Sequence, residues 1–205
     1  MRKSKPKSNK IIWLILLISL AITGYLFWNY YSAPIVNTLP PVVLPTPKIE
    51  VNLPFTGIYR DPQNRFSFTP PNNWLIKNKD IGTAAVQFIN SVTDQDATGK
   101  FSANINVLIE PTSLTLDKYI SASENTLSKV LANYKLIDSK KMKFGVLNGY
   151  VLGGTFTNGG VSFRNRQICI INKGNVYIVT AISLASLWDK YVPDFKASLY
   201  NFRIL

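Results

Sequence analysis

The sequence predicts an α+β fold, an α/β/α sandwich around a central antiparallel sheet, preceded by one N-terminal transmembrane helix. Three observations predict it. A basic head is followed by an uncharged run, Ile11 to Tyr31. The C-terminal half is filled by strand-like stretches joined through short glycine-containing turns. Two amphipathic segments, near 115–134 and 186–200, can cover a sheet that is apolar on both faces.

The head MRKSKPKSNK holds Arg2, Lys3, Lys5, Lys7 and Lys10 and no acid. At about 1.5 Å per residue, a helix over 11–31 spans roughly 30 Å, the hydrocarbon thickness of a bilayer. A cleaved signal peptide has a shorter apolar core and a small-x-small cleavage site. Here the small pair Ser32-Ala33 is flanked by Tyr31 and Pro34, which argues against cleavage. No Cys follows the run directly, so a lipoprotein anchor is not expected. Trp13 at one end and Tyr25, Phe27, Trp28, Tyr30 and Tyr31 at the other suit the headgroup level. Residues 1–10 are expected as a cytoplasmic tail and 11–31 as a signal anchor. The remainder is expected outside the cytoplasm, on a bacterial cytoplasmic membrane.

Residues 32–54 read as a tether. They contain Pro34, Pro40, Pro41, Pro45, Pro47 and Pro54, half of all the prolines. In polyproline II form they reach roughly 70 Å, at about 3.1 Å per residue. Residues 55–205 read as one domain, expected to be monomeric when freed of the anchor.

Within the domain, Arg65 to Thr69 alternates Phe66 and Phe68 with polar neighbours, as a strand does. Pro70-Pro71-Asn72-Asn73 is a turn. Trp74–Lys77, Ala84–Val92 and Phe101–Glu110 read as further strands, the last ended by Pro111. A helix then starts at Thr115, a plausible N-cap, with Asp117 in its first turn. Leu116, Tyr119, Ile120, Ser123, Leu127, Val130, Leu131 and Tyr134 form its apolar stripe. Four strands follow, over 135–144, 147–157, 161–172 and 176–184. Asn158-Gly159 reads as a two-residue hairpin turn, which sets Phe163 opposite Gly154. Gln167–Ile171 and Val176–Val179 are apolar on both faces and need cover on both sides. The second helix, over Ser186–Tyr200, is expected to break or kink at Pro193.

Composition limits the chemistry. The chain has 205 residues, a net charge of +12, one Cys and no His. Without His there is no Ser–His–Asp or Cys–His machinery and no His-containing zinc site. No intrachain disulfide can form from one thiol. The positive charge favours anionic partners, and no nucleic-acid signature is present. Cys169 lies mid-strand between Ile168 and Ile170 and reads as a buried thiol. Arg164 and Arg166 nearby suggest a comparison with sortase-like transpeptidases, whose chemistry needs a His. Asp94 and Asp96 precede Gly99 in a loop too poor in acids for a calcium site, and read as solvated. The candidate site is a patch for an anionic partner formed by Lys140, Arg164 and Arg166. Tight turns place Lys140 and Arg166 on one sheet face with Val151 between them, and send Lys141 and Lys143 to the other face. No catalytic, cofactor-binding or metal-binding residues are assigned.

Tyr59-x-Asp61, Phe66-Ser67-Phe68, Pro71-x-x-Trp74, the Thr115-Leu116-Asp117 helix start, Gly149-Tyr150 and Trp188-x-Lys190 with Phe195 and Phe202 together resemble the PsbP-like family, named for the extrinsic PsbP subunit of photosystem II. The resemblance covers Phe55 to Leu205 and implies the same α/β/α sandwich. Pro70 and Asn73 depart from the family pattern, which tends to have an aromatic residue and a glycine there. The anchor and tether also depart from the photosynthetic members, which are soluble lumenal proteins or lipoproteins. The expected function is a non-catalytic, membrane-anchored, extracytoplasmic binding or assembly domain of a bacterial envelope. Its partners would be the membrane itself and either another envelope protein or an anionic surface polymer, with no nucleic acid. The alternatives are a photosystem II accessory protein of the oxygen-evolving complex and an extracytoplasmic Ser/Lys hydrolase or transpeptidase.

Overall fold

The computed structural model describes residues 54–77 and 81–205. The expected cytoplasmic tail, signal anchor and tether up to residue 53 lie outside the described residues. Among those described, no helix is long and apolar enough to cross a membrane.

In chain order the elements are β1 (Pro54–Phe55), β2 (Tyr59–Arg60), β3 (Phe66–Phe68), β4 (Trp74–Lys77), β5 (Ala84–Ile89), β6 (Asp94–Gln95), β7 (Lys100–Phe101) and β8 (Asn104–Pro111). Then come α1 (Leu116–Val130), β9 (Ala132–Phe144), β10 (Leu147–Asn158), β11 (Val161–Asn172), β12 (Asn175–Leu184), α2 (Trp188–Tyr200) and β13 (Arg203–Ile204). One eight-stranded sheet runs β1-β4-β5-β8-β12-β11-β10-β9, antiparallel throughout. A small sheet, β13-β3-β2, and the β6–β7 hairpin complete it.

The helices divide the two faces of the large sheet, following the period of two along each strand. Val86, Val107, Val151, Ile168 and Val179 point to the α2 side and pack with Trp188, Tyr191, Phe195 and Leu199. Leu108, Leu152, Cys169, Val176 and Ile178 point the other way and pack with Tyr119 and Ile120 of α1. The double-faced apolar runs of β11 and β12 are covered on both sides for this reason.

Several quoted motifs are packing devices. Phe66, Phe68 and Phe202 join Tyr59 and Phe88 in a cluster of rings. Trp74 meets Tyr191 and Phe195 edge-on at 6.2 and 6.1 Å and closes the β4 end of the sheet. Asp61 is buried and holds its loop shut: it accepts from the Arg65 side chain at 2.7 and 2.8 Å and from the Gln63 and Arg65 amides. Burial would raise its pKa, yet those donors hold the carboxyl below its ordinary range. Gly149 has no room for a side chain, because a Cβ would lie 2.7 Å from the Phe144 ring.

Three expectations need correction. First, α1 ends at Val130, so Tyr134 lies not on a helical stripe but on β9, its ring over Gly154. Thr115 is the N-cap but makes no side-chain cap bond. Second, of the break or kink expected at Pro193, the break does not occur: α2 is one helix through it. Proline there removes one donor, toward Asp189 on the exposed side, where water can replace it. Third, the β10–β11 turn is Gly159-Gly160, both at positive φ, as a type I′ turn requires. Phe163 therefore sits opposite Phe156 and stacks on it at 5.4 Å, while Gly154 faces Asn165.

Candidate functional site

The three residues of the candidate patch share the α2-side face of β9, β10 and β11. α1 ends when Leu131 turns extended, and the chain then returns along the outer edge of the sheet as β9. Asp138 pairs with Gly153 and Leu136 with Gly154, so Ile137 bulges out of register. From Asp138 to Phe144 the pairing with β10 is unbroken.

Lys140 lies opposite Val151, as the sequence indicates, and is exposed. Arg166 lies opposite Gly153, not Val151, because the turn at Gly159-Gly160 shifts β11 along β10. Its guanidinium reaches across the bare glycine to Asp138 of β9, at 2.6 Å. A side chain at 153 would clash with the Asp138 carboxylate. Arg166 is therefore neutralised within the sheet. Arg164 stacks over the buried ring of Trp188, 5.1 Å from its centroid, and keeps its charge. So the face brings together Lys140, Arg164 and Arg166, and adds an acid the sequence reading missed. The available signal was Gly153, whose missing side chain leaves room for an ion pair between its neighbours.

The free charge lies on the edge. Lys135, Lys140 and Lys143 of β9 are exposed and make no ion pair with a described residue. Lys141 and Lys143 point to the α1 side, as expected from alternation, and Lys141 meets Asp117 of α1 at 2.9 Å. Leu136, Ile137 and Val146 are exposed at the two ends of this lysine stretch.

The other candidates resolve into structure. Cys169 is buried under α1, and burial pushes its thiol up to about 12. Beside it, burial raises Glu110 to about 7. The Tyr119 hydroxyl is the one group opposing that shift, and its geometry falls short of a formed hydrogen bond. The loop of Asp94 and Asp96 is largely exposed, as expected, but both carboxylates are engaged and Asp94 itself is buried. Asp94 accepts from Lys190 at 2.7 Å and from the Tyr191 hydroxyl, which in turn accepts from Asn90. Asp96 accepts from the hydroxyls of Ser186 and Thr98 and from the Thr98 and Gly99 amides, and these donors lower it to about 2. The two acids bind the β6–β7 hairpin to the start of α2. Among the described residues no group of three acids or thiols is placed to hold a metal.

The model of the PsbP family matches residues 56–204, and the chain belongs to that family. No curated protein matches the sequence. The fold is similar to that of cyanobacterial PsbP (CyanoP) from Synechocystis, at 14% identity and a TM-score of 0.53, covering 84% of this chain and all of that one. It is also similar to LpqN of Mycobacterium tuberculosis, a protein involved in cell envelope biogenesis, at 13% identity and a TM-score of 0.53, over 68% of this chain and 82% of that one.

Proposed function

We propose that this chain is a non-catalytic, membrane-anchored, extracytoplasmic binding or assembly domain of a bacterial envelope, with an anionic partner. The observation that carries the reading is the edge strand β9, where Lys135, Lys140 and Lys143 form no ion pair with a described residue. The basic head and uncharged run at 11–31 supply the anchor and its orientation. LpqN, which shares the fold, supports an envelope role. The sealed Cys169 and the absence of His support a role in binding rather than in acyl transfer.

Protease added to intact spheroplasts tests the topology. It should remove the domain and leave a small membrane-bound stub. A protected domain, or a mature protein starting near Ala33, contradicts the reading. Retention of the full-length protein on an immobilised polyanion, lost as salt rises, tests the charge of the partner.

A further inference from the structure

We infer that β9 is a docking edge for an extended acidic polypeptide, which adds to the sheet as a ninth strand beside Ser139–Phe144. This rests on the reading of the chain as a binder of anionic partners and names the partner's chemistry.

Four features of the edge converge. β9 is thirteen residues long and, among the described residues, pairs only with β10, so along its outer side every second residue presents an N–H and C=O that no described strand pairs. Between the bulge at Ile137 and the turn at Gly145, its register with β10 is regular, so this stretch can template another strand. Its lysines lie on both faces, Lys140 toward the α2 side and Lys141 and Lys143 toward the α1 side. An added strand would meet a lysine whichever way its own side chains point, and opposite charges across strands stabilise pairing. The stretch is bracketed by exposed apolar residues, Leu136 and Ile137 at one end and Val146 at the other.

The same lysines decide against other occupants. Every antiparallel self-pairing of five or more residues within 139–144 sets Lys against Lys, so a second copy is repelled. A lipid surface or a polysaccharide could neutralise the charge but lacks the regular backbone repeat of donors and acceptors that continues a ladder. Position argues the same way. The tether enters at β1, the opposite edge of the eight-stranded sheet, so β9 lies roughly 30 Å from it at about 4.8 Å per strand. The lysine edge is thus the end of the sheet farther from the point where the tether joins the domain.

The test uses full-length protein in neutral detergent micelles, with a synthetic ten-residue peptide of alternating Thr and Glu as the probe. Binding should slow amide exchange at alternate residues of 139–144. The double variant Lys140→Glu, Lys143→Glu should weaken binding about tenfold or more, and the equivalent Thr/Lys peptide should then bind the variant instead. Two further arms use anionic lipid vesicles and dextran sulfate. If these bind while the peptide does not, or if the peptide binds without protecting β9, strand addition is overturned and the anionic-partner reading stands. If no polyanion binds, both fail.

Discussion

β1 and β9 close the same sheet at opposite ends and are built by different means. β1 is two residues long, and Phe55 packs edge-on against Tyr59 and Phe88 at 6.1 and 5.4 Å. Beside it, Trp74 locks β4 to α2. That edge is short and sealed by rings. β9 is long, exposed on most of its side chains, twice irregular in its register with β10 and fringed with lysine. Short length and bulky cover remove an edge; lysines and a bulge keep an edge soluble while leaving its backbone available. The difference separates an end of the sheet closed by packing from an edge whose outward backbone groups no described strand covers.

The largest effect should come from the sealed end. Trp74 is 5% exposed, and truncating a buried Trp to Ala typically costs about 3–5 kcal/mol. Trp74→Ala should lower the denaturant midpoint sharply, with any loss of binding following unfolding. Unchanged stability with binding abolished would move the functional edge to the Pro71–Trp74 turn.

A smaller effect should appear mid-sheet, at Glu110. Burial raises its folded pKa to about 7, above the ordinary 4.5. The stability it contributes is therefore complete below pH 4.5 and is lost as pH rises through about 7. The loss is on the order of 3 kcal/mol. Glu110→Gln should flatten the pH dependence of the unfolding midpoint and gain on the wild type above pH 8. A variant whose profile parallels the wild type would show that another group controls it.

Next in size is the tie between the β6–β7 hairpin and α2. Ser186→Ala removes the hydroxyl that Asp96 accepts from and should cost about 1 kcal/mol. Amide exchange should rise locally around 94–101, leaving β9 unchanged. Equal rises at both sites would mean that the two ends of the molecule are not independent.

The sequence made most of this architecture legible because the signals were local. Alternation placed β8 and β10–β12, and Thr115-Leu116-Asp117 marked the start of α1. What it missed depends on contacts between distant residues. The burial of Asp94 and the partners of both Asp94 and Asp96 were hidden because Lys190, Tyr191 and Ser186 stand some ninety residues further on. In the hairpin, three turn-forming residues in a row, Asn158-Gly159-Gly160, allow two phases, and choosing between them decides whether Arg166 meets Val151 or the Asp138–Gly153 row. The candidate patch was thus assigned to the correct face with one of its three charges already spoken for by Asp138.

The smallest change in stability should accompany the largest change in binding. Lys140 and Lys143 are exposed, so reversing both charges should leave the unfolding midpoint within about 0.5 kcal/mol of the wild type. The most direct measurement is the affinity of the full-length Lys140→Glu, Lys143→Glu protein for polyglutamate, taken beside the wild type at one salt concentration. The account predicts binding weaker by about tenfold or more at unchanged stability. Undiminished affinity would contradict the assignment of β9 as the contact edge.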